Sequence, residues 1–104
     1  MSRESIGRTN EIEPGSARSY DFGRERIAVC NVSGAFYAIN DVCTHDGGPL
    51  DQGVLEGSTI TCPRHGAKFD VTTGEAVQMP AVIPVKTYSI EIEDDTIYLI
   101  TDET

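Results

Sequence analysis

The sequence predicts an all-β domain, and three observations support this prediction. Segments near both ends of the chain alternate between apolar and polar residues, which is the pattern of half-buried strands. The segment between them is rich in glycine and proline, which favours tight turns and short hairpins. We find no capped amphipathic helix, no repeat and no low-complexity stretch. The 104 residues have the length of one domain, which we assign to residues 1–104.

The first strands are predicted in residues 16–40. Residues 16–22 have the composition of a polar strand that ends at Gly23. Residues 26–32 alternate, and the turn residues Ser33-Gly34 connect them to residues 35–40, which predicts a hairpin. The apolar residues of 26–32 divide into two faces, namely Ile27 and Val29 on one and Ala28, Cys30 and Val32 on the other.

A second hairpin is predicted at the end of the chain. Tyr88, Ile90 and Ile92 alternate with polar residues, so residues 88–93 form a period-2 pattern. Asp94-Asp95 then favours a turn, and residues 96–100 return as the partner strand. We therefore expect both ends of the chain to build an antiparallel base sheet or barrel.

The middle of the chain, about residues 42–83, is predicted to be a subdomain inserted in this base. It contains six of the ten glycines and three of the five prolines. Glu56-Gly57 and Thr73-Gly74 are expected turns within it. Such a composition is typical of loops and short hairpins that hold a site.

Charge and hydropathy exclude several classes of partner. The net charge is −9, from 8 basic and 17 acidic residues, which argues against nucleic acid and anionic lipid. The same charge suits a basic docking patch on a protein partner, although acidity also serves solubility alone. No stretch approaches the roughly 18 apolar residues of a membrane span, and the first five residues lack the apolar run of a signal peptide. We therefore expect a cytoplasmic, monomeric protein without a membrane partner.

Two short boxes in the middle segment pair a cysteine with a histidine. They are Cys43-Thr44-His45 and Cys62-Pro63-Arg64-His65, and they contain both histidines of the chain and two of its three cysteines. Two loops that each offer one thiolate and one imidazole can clasp a metal centre from both sides. A zinc site accepts these ligand types, although its usual spacing pairs cysteines and then histidines. The third cysteine, Cys30, is interpreted as a small buried apolar residue.

The boxes resemble the two ligand boxes of Rieske ferredoxins, and the resemblance extends over about residues 41–84. It includes Gly48-Pro49-Leu50, Gly53 and Phe69-Asp70, and Met79-Pro80-Ala81 resembles the loop that covers the cluster. The resemblance implies a Rieske-type antiparallel β-sheet domain with an inserted cluster-binding subdomain. It also implies one [2Fe–2S] cluster, with Cys43 and Cys62 on the buried iron and His45 and His65 on the outer iron.

The chain departs from the high-potential respiratory members of this family at four positions. Those members have an extra cysteine in each box, joined as a disulfide, whereas this chain has Gly48 and Arg64. They also place hydroxyl donors to the cluster sulfurs where this chain has Ala67 and Phe69. Fewer donors, together with the negative charge of Asp46, disfavour the reduced state. We therefore predict a reduction potential near the low end of the Rieske range, about −150 mV rather than about +300 mV.

The resemblance implies a one-electron carrier and not an enzyme. Both histidines are used by the cluster, so none is left for the mononuclear iron of an oxygenase. We expect a ferredoxin component that carries electrons from a flavin-containing reductase to a terminal oxygenase acting on an aromatic compound, with docking near His45 and His65. Two alternatives stay open, a small Rieske subunit of a redox complex such as nitrite reductase, and a structural zinc module.

Overall fold

The computed structural model describes residues 2–44, 47–64, 66–79 and 83–101, and these residues form three antiparallel sheets. In chain order the strands are β1 Ser2–Arg8, β2 Ala17–Phe22, β3 Glu25–Val32, β4 Ala35–Asn40, β5 Val54–Glu56, β6 Thr59–Thr61, β7 Lys68–Asp70, β8 Ala76–Gln78, β9 Thr87–Tyr88, β10 Ile90–Glu93 and β11 Thr96–Thr101. Within these ranges the one helix is the 3₁₀ turn Thr9–Glu11, and no helix is long and apolar enough to cross a membrane. The predicted all-β class is confirmed.

The first sheet has the order β1-β11-β10 and contains a strand that the sequence did not predict. Strand β1 runs antiparallel to β11, with Ser2 opposite Thr101 and Arg8 opposite Thr96. Most of its residues are exposed and polar, so they show no alternation of apolar residues. Main-chain hydrogen bonds to β11 therefore hold β1 in place, together with the partly buried side chain of Ile6 and the ion pairs from Arg3 to Glu91 and Glu93 of β10.

Strand β3 is buried on both faces and separates two hydrophobic cores. It lies inside the second sheet, whose order is β2-β3-β4-β9. Its residues Ala28 and Cys30 pack in one core, which we call the thiol core, and Ile27 and Val29 pack in the other, which we call the base core. The predicted division of this strand into two faces is confirmed. The thiol core consists of Ala28, Cys30, Ile39, Cys43, Leu50, Leu55, Ile60, Cys62, Ala67, Phe69, Val71 and Val85, and the base core of Ile12, Ile27, Val29, Ala38, Ile97 and Leu99.

Both predicted hairpins are present, and their turns have the backbone twist that two-residue hairpins require. Ser33 and Gly34 have φ values of 52° and 97°, and Asp94 and Asp95 have φ values of 51° and 62°. Positive φ at both central residues is the mark of a type I′ turn, which matches the right-handed twist of the paired strands. The hairpins β3–β4 and β10–β11 therefore follow from local turn chemistry.

The predicted single strand over residues 88–93 is wrong, because the chain changes sheets at Ser89. Thr87–Tyr88 pairs with β4 in the second sheet, whereas Ile90–Glu93 pairs with β11 in the first sheet. The Ser89 carbonyl accepts the Ile100 N–H at 2.9 Å and stabilises the crossing. One alternating segment thus contributes a strand to each of two sheets, and it connects the second sheet to the first.

The third sheet is a meander of the order β5-β6-β7-β8, made of three-residue strands. Its turns include the predicted ones at Glu56-Gly57 and Thr73-Gly74. Thr61 ends β6 and Lys68 begins β7, and these two residues pair with each other across the loop that contains Cys62. The meander therefore presents this loop from the end of a short hairpin.

Gly53→Ala should destabilise the fold by about 3 kcal/mol. A Cβ atom at position 53 would overlap the main-chain carbonyl of Thr61, which cannot move without disturbing the sheet. Chemical denaturation measures the free energy of unfolding of this variant. The control is Gly57→Ala, which has open space around the Cβ atom and costs about 1 kcal/mol for its left-handed φ of 58°. Equal losses in the two variants would contradict the packing argument.

Candidate metal centre

The two cysteines of the predicted boxes occupy corresponding places in two loops. Cys43 lies three residues beyond the end of β4, and Cys62 follows directly on the end of β6. We call residues 41–51 the first ligand loop and residues 62–67 the second ligand loop. Each loop leaves a strand with a side chain buried in the thiol core, namely Ile39 of β4 and Ile60 of β6. The strands therefore direct both cysteines toward the same core.

Both loops are closed by the same pair of main-chain hydrogen bonds. The Cys43 N–H donates to the Gly48 carbonyl at 2.7 Å, and the Gly47 N–H donates to the Cys43 carbonyl at 2.7 Å. In the second loop, Cys62 donates to Ala67 at 2.7 Å and Gly66 donates to Cys62 at 3.2 Å. The donors and acceptors stand at the same offsets from each cysteine, although the cysteine–histidine spacing differs between the boxes.

A glycine with left-handed backbone geometry stands four residues after each cysteine. Gly47 has a φ of 78° and Gly66 a φ of 77°. L-residues with a Cβ atom rarely adopt this conformation, whereas glycine adopts it at little cost. The matched glycines allow the backbone of both loops to turn sharply after the cysteine. The two loops therefore share one backbone conformation at these positions.

The two thiols are buried and not joined to each other. Cys43 and Cys62 are each 1% exposed in the thiol core, and neither forms a disulfide. Thiolates are the usual ligands of iron–sulfur clusters, and burial protects such a centre from water. Two buried thiols on matched loops thus fit the sulfur half of the predicted ligand set.

His45, His65 and Asp46 lie outside the described residues, and so do Pro80 and Ala81 of the predicted covering loop. Their neighbours are near solvent, since Arg64 and Gly47 are exposed. The backbone of each loop therefore runs from a buried cysteine toward the surface within a few residues. The placement of the histidines on the cluster stays a prediction.

Two side-chain hydrogen bonds connect the ligand loops to the segments on either side of residues 80–82. The Thr44 hydroxyl donates to the Ile83 carbonyl at 2.7 Å. The Gln78 amide Nε2 donates to the Gly66 carbonyl at 3.5 Å. Met79 and Ile83, which flank this segment, are 70% and 58% exposed. An apolar surface therefore adjoins both ligand loops.

Sequence reasoning did not assign a role to Asp41, which is buried at the start of the first ligand loop. Its Oδ1 accepts the N–H groups of Leu50 and Asp51 at 2.7 and 2.8 Å. Burial raises the pKa of this carboxyl, while the hydrogen bonds from the two N–H groups oppose the rise. The signal in the sequence was a carboxylate directly after a strand with buried residues and two positions before a candidate ligand.

Three further residues singled out in the sequence are buried, and the burial predicted for Cys30 is confirmed. Ala67 and Phe69 are fully buried in the thiol core, and neither side chain has a hydroxyl group. Cys30 is also fully buried. Burial, and secondarily the charge of Asp41, raises the pKa of its thiol to about 12, so Cys30 stays protonated at neutral pH.

Comparison with known proteins identifies relatives over most of the chain. The family model for the Rieske [2Fe-2S] domain matches residues 2–89. The ferredoxin component of biphenyl 2,3-dioxygenase from Rhodococcus jostii (strain RHA1) is 37% identical over 97 residues, which cover 93% of this chain and 91% of that protein.

Two solved structures share the fold as well as part of the sequence. The Sphingomonas yanoikuyae B1 ferredoxin has a TM-score of 0.91 and 30% identity, and the match covers 97% of this chain and 100% of that chain. A complex of reduced oxygenase and oxidized ferredoxin in carbazole 1,9a-dioxygenase has a TM-score of 0.88 and 32% identity, over 93% of this chain and 91% of that chain.

Proposed function

The chain belongs to the Rieske [2Fe–2S] domain family, and we propose that one [2Fe–2S] cluster is held by two ligands from each loop, namely Cys43, His45, Cys62 and His65. The observation that supports this assignment is the matched pair of loops around Cys43 and Cys62. We also propose that residues 42–83 form the cluster-binding subdomain of a single domain, since they contain the second ligand loop, the first ligand loop beyond Asp41 and the whole third sheet.

The chain is an electron carrier and not an enzyme by itself. When bound, the cluster supplies one-electron oxidation and reduction. The protein contributes four ligands, a dry core around the two thiols and main-chain N–H groups in the glycine-rich loops. Such N–H groups near sulfur stabilise its negative charge and set the potential. Rigid loops reduce the rearrangement that accompanies each electron transfer.

The partners that we propose are a flavin-containing reductase as donor and a terminal oxygenase for an aromatic compound as acceptor. The names of the relatives support this proposal, since they are ferredoxins of biphenyl and carbazole dioxygenases. We propose that the reaction takes place in the cytoplasm, where cysteines that form no disulfide, such as those of this chain, stay reduced.

The surface beside the ligand loops is suited to brief contact with these partners. Its exposed apolar side chains are Val54, Val77, Met79 and Ile83. Val54 pairs with Thr61, directly before the second ligand loop, and Ile83 accepts the hydrogen bond from the first. A partner that covers this surface would exclude water beside both ligand loops. We therefore propose docking here, near His45 and His65.

The visible and EPR spectra of the purified protein, before and after dithionite, test the cluster assignment. We expect a reddish-brown protein with two irons per chain, a visible band that bleaches on reduction, and a rhombic EPR signal only in the reduced state. Cys43→Ser and Cys62→Ser should lose these features, whereas Cys30→Ala should keep them, because its thiol is protonated in the core. A colourless protein with stoichiometric zinc would contradict the proposal.

Ala67→Ser should raise the reduction potential above that of the wild type. A hydroxyl group at this buried position, next to Gly66, can donate to a cluster sulfur and stabilise the reduced state. EPR-monitored redox titration at neutral pH measures the shift, with Ala76→Ser, a half-buried alanine packed against the same core, as the control. A wild-type midpoint far above the expected value of about −150 mV, or no rise in Ala67→Ser alone, would contradict this account.

Met79→Glu should slow electron transfer to a terminal oxygenase by at least about tenfold, because a charge must then be desolvated in the contact. Stopped-flow absorbance follows the reoxidation of the reduced protein by the oxygenase. The matched control is Ile92→Glu, which places the same charge at an exposed apolar position of the first sheet. Equal slowing in both variants would contradict docking beside the ligand loops.

A further inference from the structure

We propose that Asp41 is a positioning residue that closes the first ligand loop and fixes Cys43 relative to the base sheet. The inference rests on the proposed function only in taking Cys43 as a cluster ligand. Asp41 itself is not proposed to touch the cluster. Its role follows from the hydrogen bonds of its main-chain N–H and of Oδ1, and from the ion pair that Oδ2 makes with Arg26.

The carboxylate joins the two ends of the loop. Asp41 is the first residue beyond β4, and its Oδ1 accepts N–H groups from Leu50 and Asp51 at the far end of the loop, at 2.7 and 2.8 Å. Cys43 lies between these two ends, two residues from the carboxylate. Leu50 is fully buried in the thiol core, so the same bonds also hold its side chain there. A single side chain therefore holds the two ends of the first ligand loop together.

The same residue is attached to the second sheet. The Asp41 N–H donates to the Arg26 carbonyl at 2.8 Å, and Oδ2 faces the Arg26 guanidinium at 3.3 Å. Arg26 Nη2 in turn donates to the Ser19 hydroxyl at 3.2 Å. The loop is thus connected through Asp41 to strands β3 and β2, which form the rigid part of the base.

The burial of the Asp41 carboxylate costs free energy, which argues against a role in stability alone. The Asp41 side chain is 0% exposed, and a buried carboxylate loses its hydration. Replacing buried charges by apolar groups often stabilises a protein, so such a group is weak evidence for stability. Ligand-supporting residues outside the first coordination shell commonly orient the ligands. Asp41 fits that role, because it holds the loop that carries Cys43.

Asp70 provides a matched comparison within the chain. Its Oδ1 accepts the Thr72 N–H at 2.9 Å and the Thr72 hydroxyl at 2.6 Å, so it closes a turn of its own. That turn lies at the end of β7 away from the second ligand loop. Asp70 and Asp41 therefore perform the same local chemistry, but only Asp41 spans a ligand loop.

The test compares Asp41→Ala, Asp41→Asn and Asp70→Ala as purified full-length proteins. We expect the Leu50 and Asp51 amides of Asp41→Ala to exchange hydrogen roughly tenfold faster or more, because each loses a charged acceptor. Release of iron to a chelator should accelerate by a similar factor, and the EPR line should broaden. Asp41→Asn keeps an acceptor oxygen, so it should restore slow exchange and slow release. Asp70→Ala should behave like the wild type in both measurements.

Three results would overturn the inference. The first is wild-type iron release from Asp41→Ala. The second is iron release from Asp41→Asn as fast as from Asp41→Ala. The third, which needs no variant and so applies even if Asp41→Ala does not fold, is exchange at Leu50 and Asp51 in the wild type as fast as at the exposed Gln52. If the wild type binds no iron, the proposed function fails, while amide exchange still tests the closure of the loop.

Discussion

Two thiols on separate loops have to reach one buried centre, and the rest of the structure serves this constraint. Cys43 and Cys62 are far apart in the sequence, yet each is held by the same pair of main-chain hydrogen bonds and the same left-handed glycine. Both thiols lie in the apolar core, whereas Gly47 and Arg64 of the same loops are exposed. The second and third sheets supply the strands from which the two loops leave.

Local rules were enough to predict the hairpins and the two-faced strand β3. The turns at Ser33-Gly34 and Asp94-Asp95 carry their own backbone preference, and the two faces of β3 follow from the period-2 geometry of a strand. Strand β1 was missed because most of its residues are exposed and polar, and because its partner β11 lies at the other end of the chain. The change of sheet at Ser89 was missed because alternation does not reveal which partner a strand has.

The candidate ligands could be predicted from residue type and spacing, because few pairs of loops combine one thiol with one imidazole each. The geometry that closes the loops could not, since it depends on φ at Gly47 and Gly66 and on long-range bonds. The role of Asp41 likewise could not be predicted from the sequence. Its sequence neighbours give no reason to expect a buried carboxylate bound to Leu50, which is nine residues away. Such a contact is specified only when the whole loop is folded.

The central claim is that each loop contributes one cysteine and one histidine to a single cluster. The chain contains two histidines, so any histidine nitrogen bound to the cluster must belong to His45 or His65. The most direct measurement is pulsed EPR on the dithionite-reduced protein with ¹⁵N introduced only in histidine. The account predicts hyperfine coupling to two histidine nitrogens. A reduced cluster without such coupling, or with coupling to one nitrogen, would contradict it.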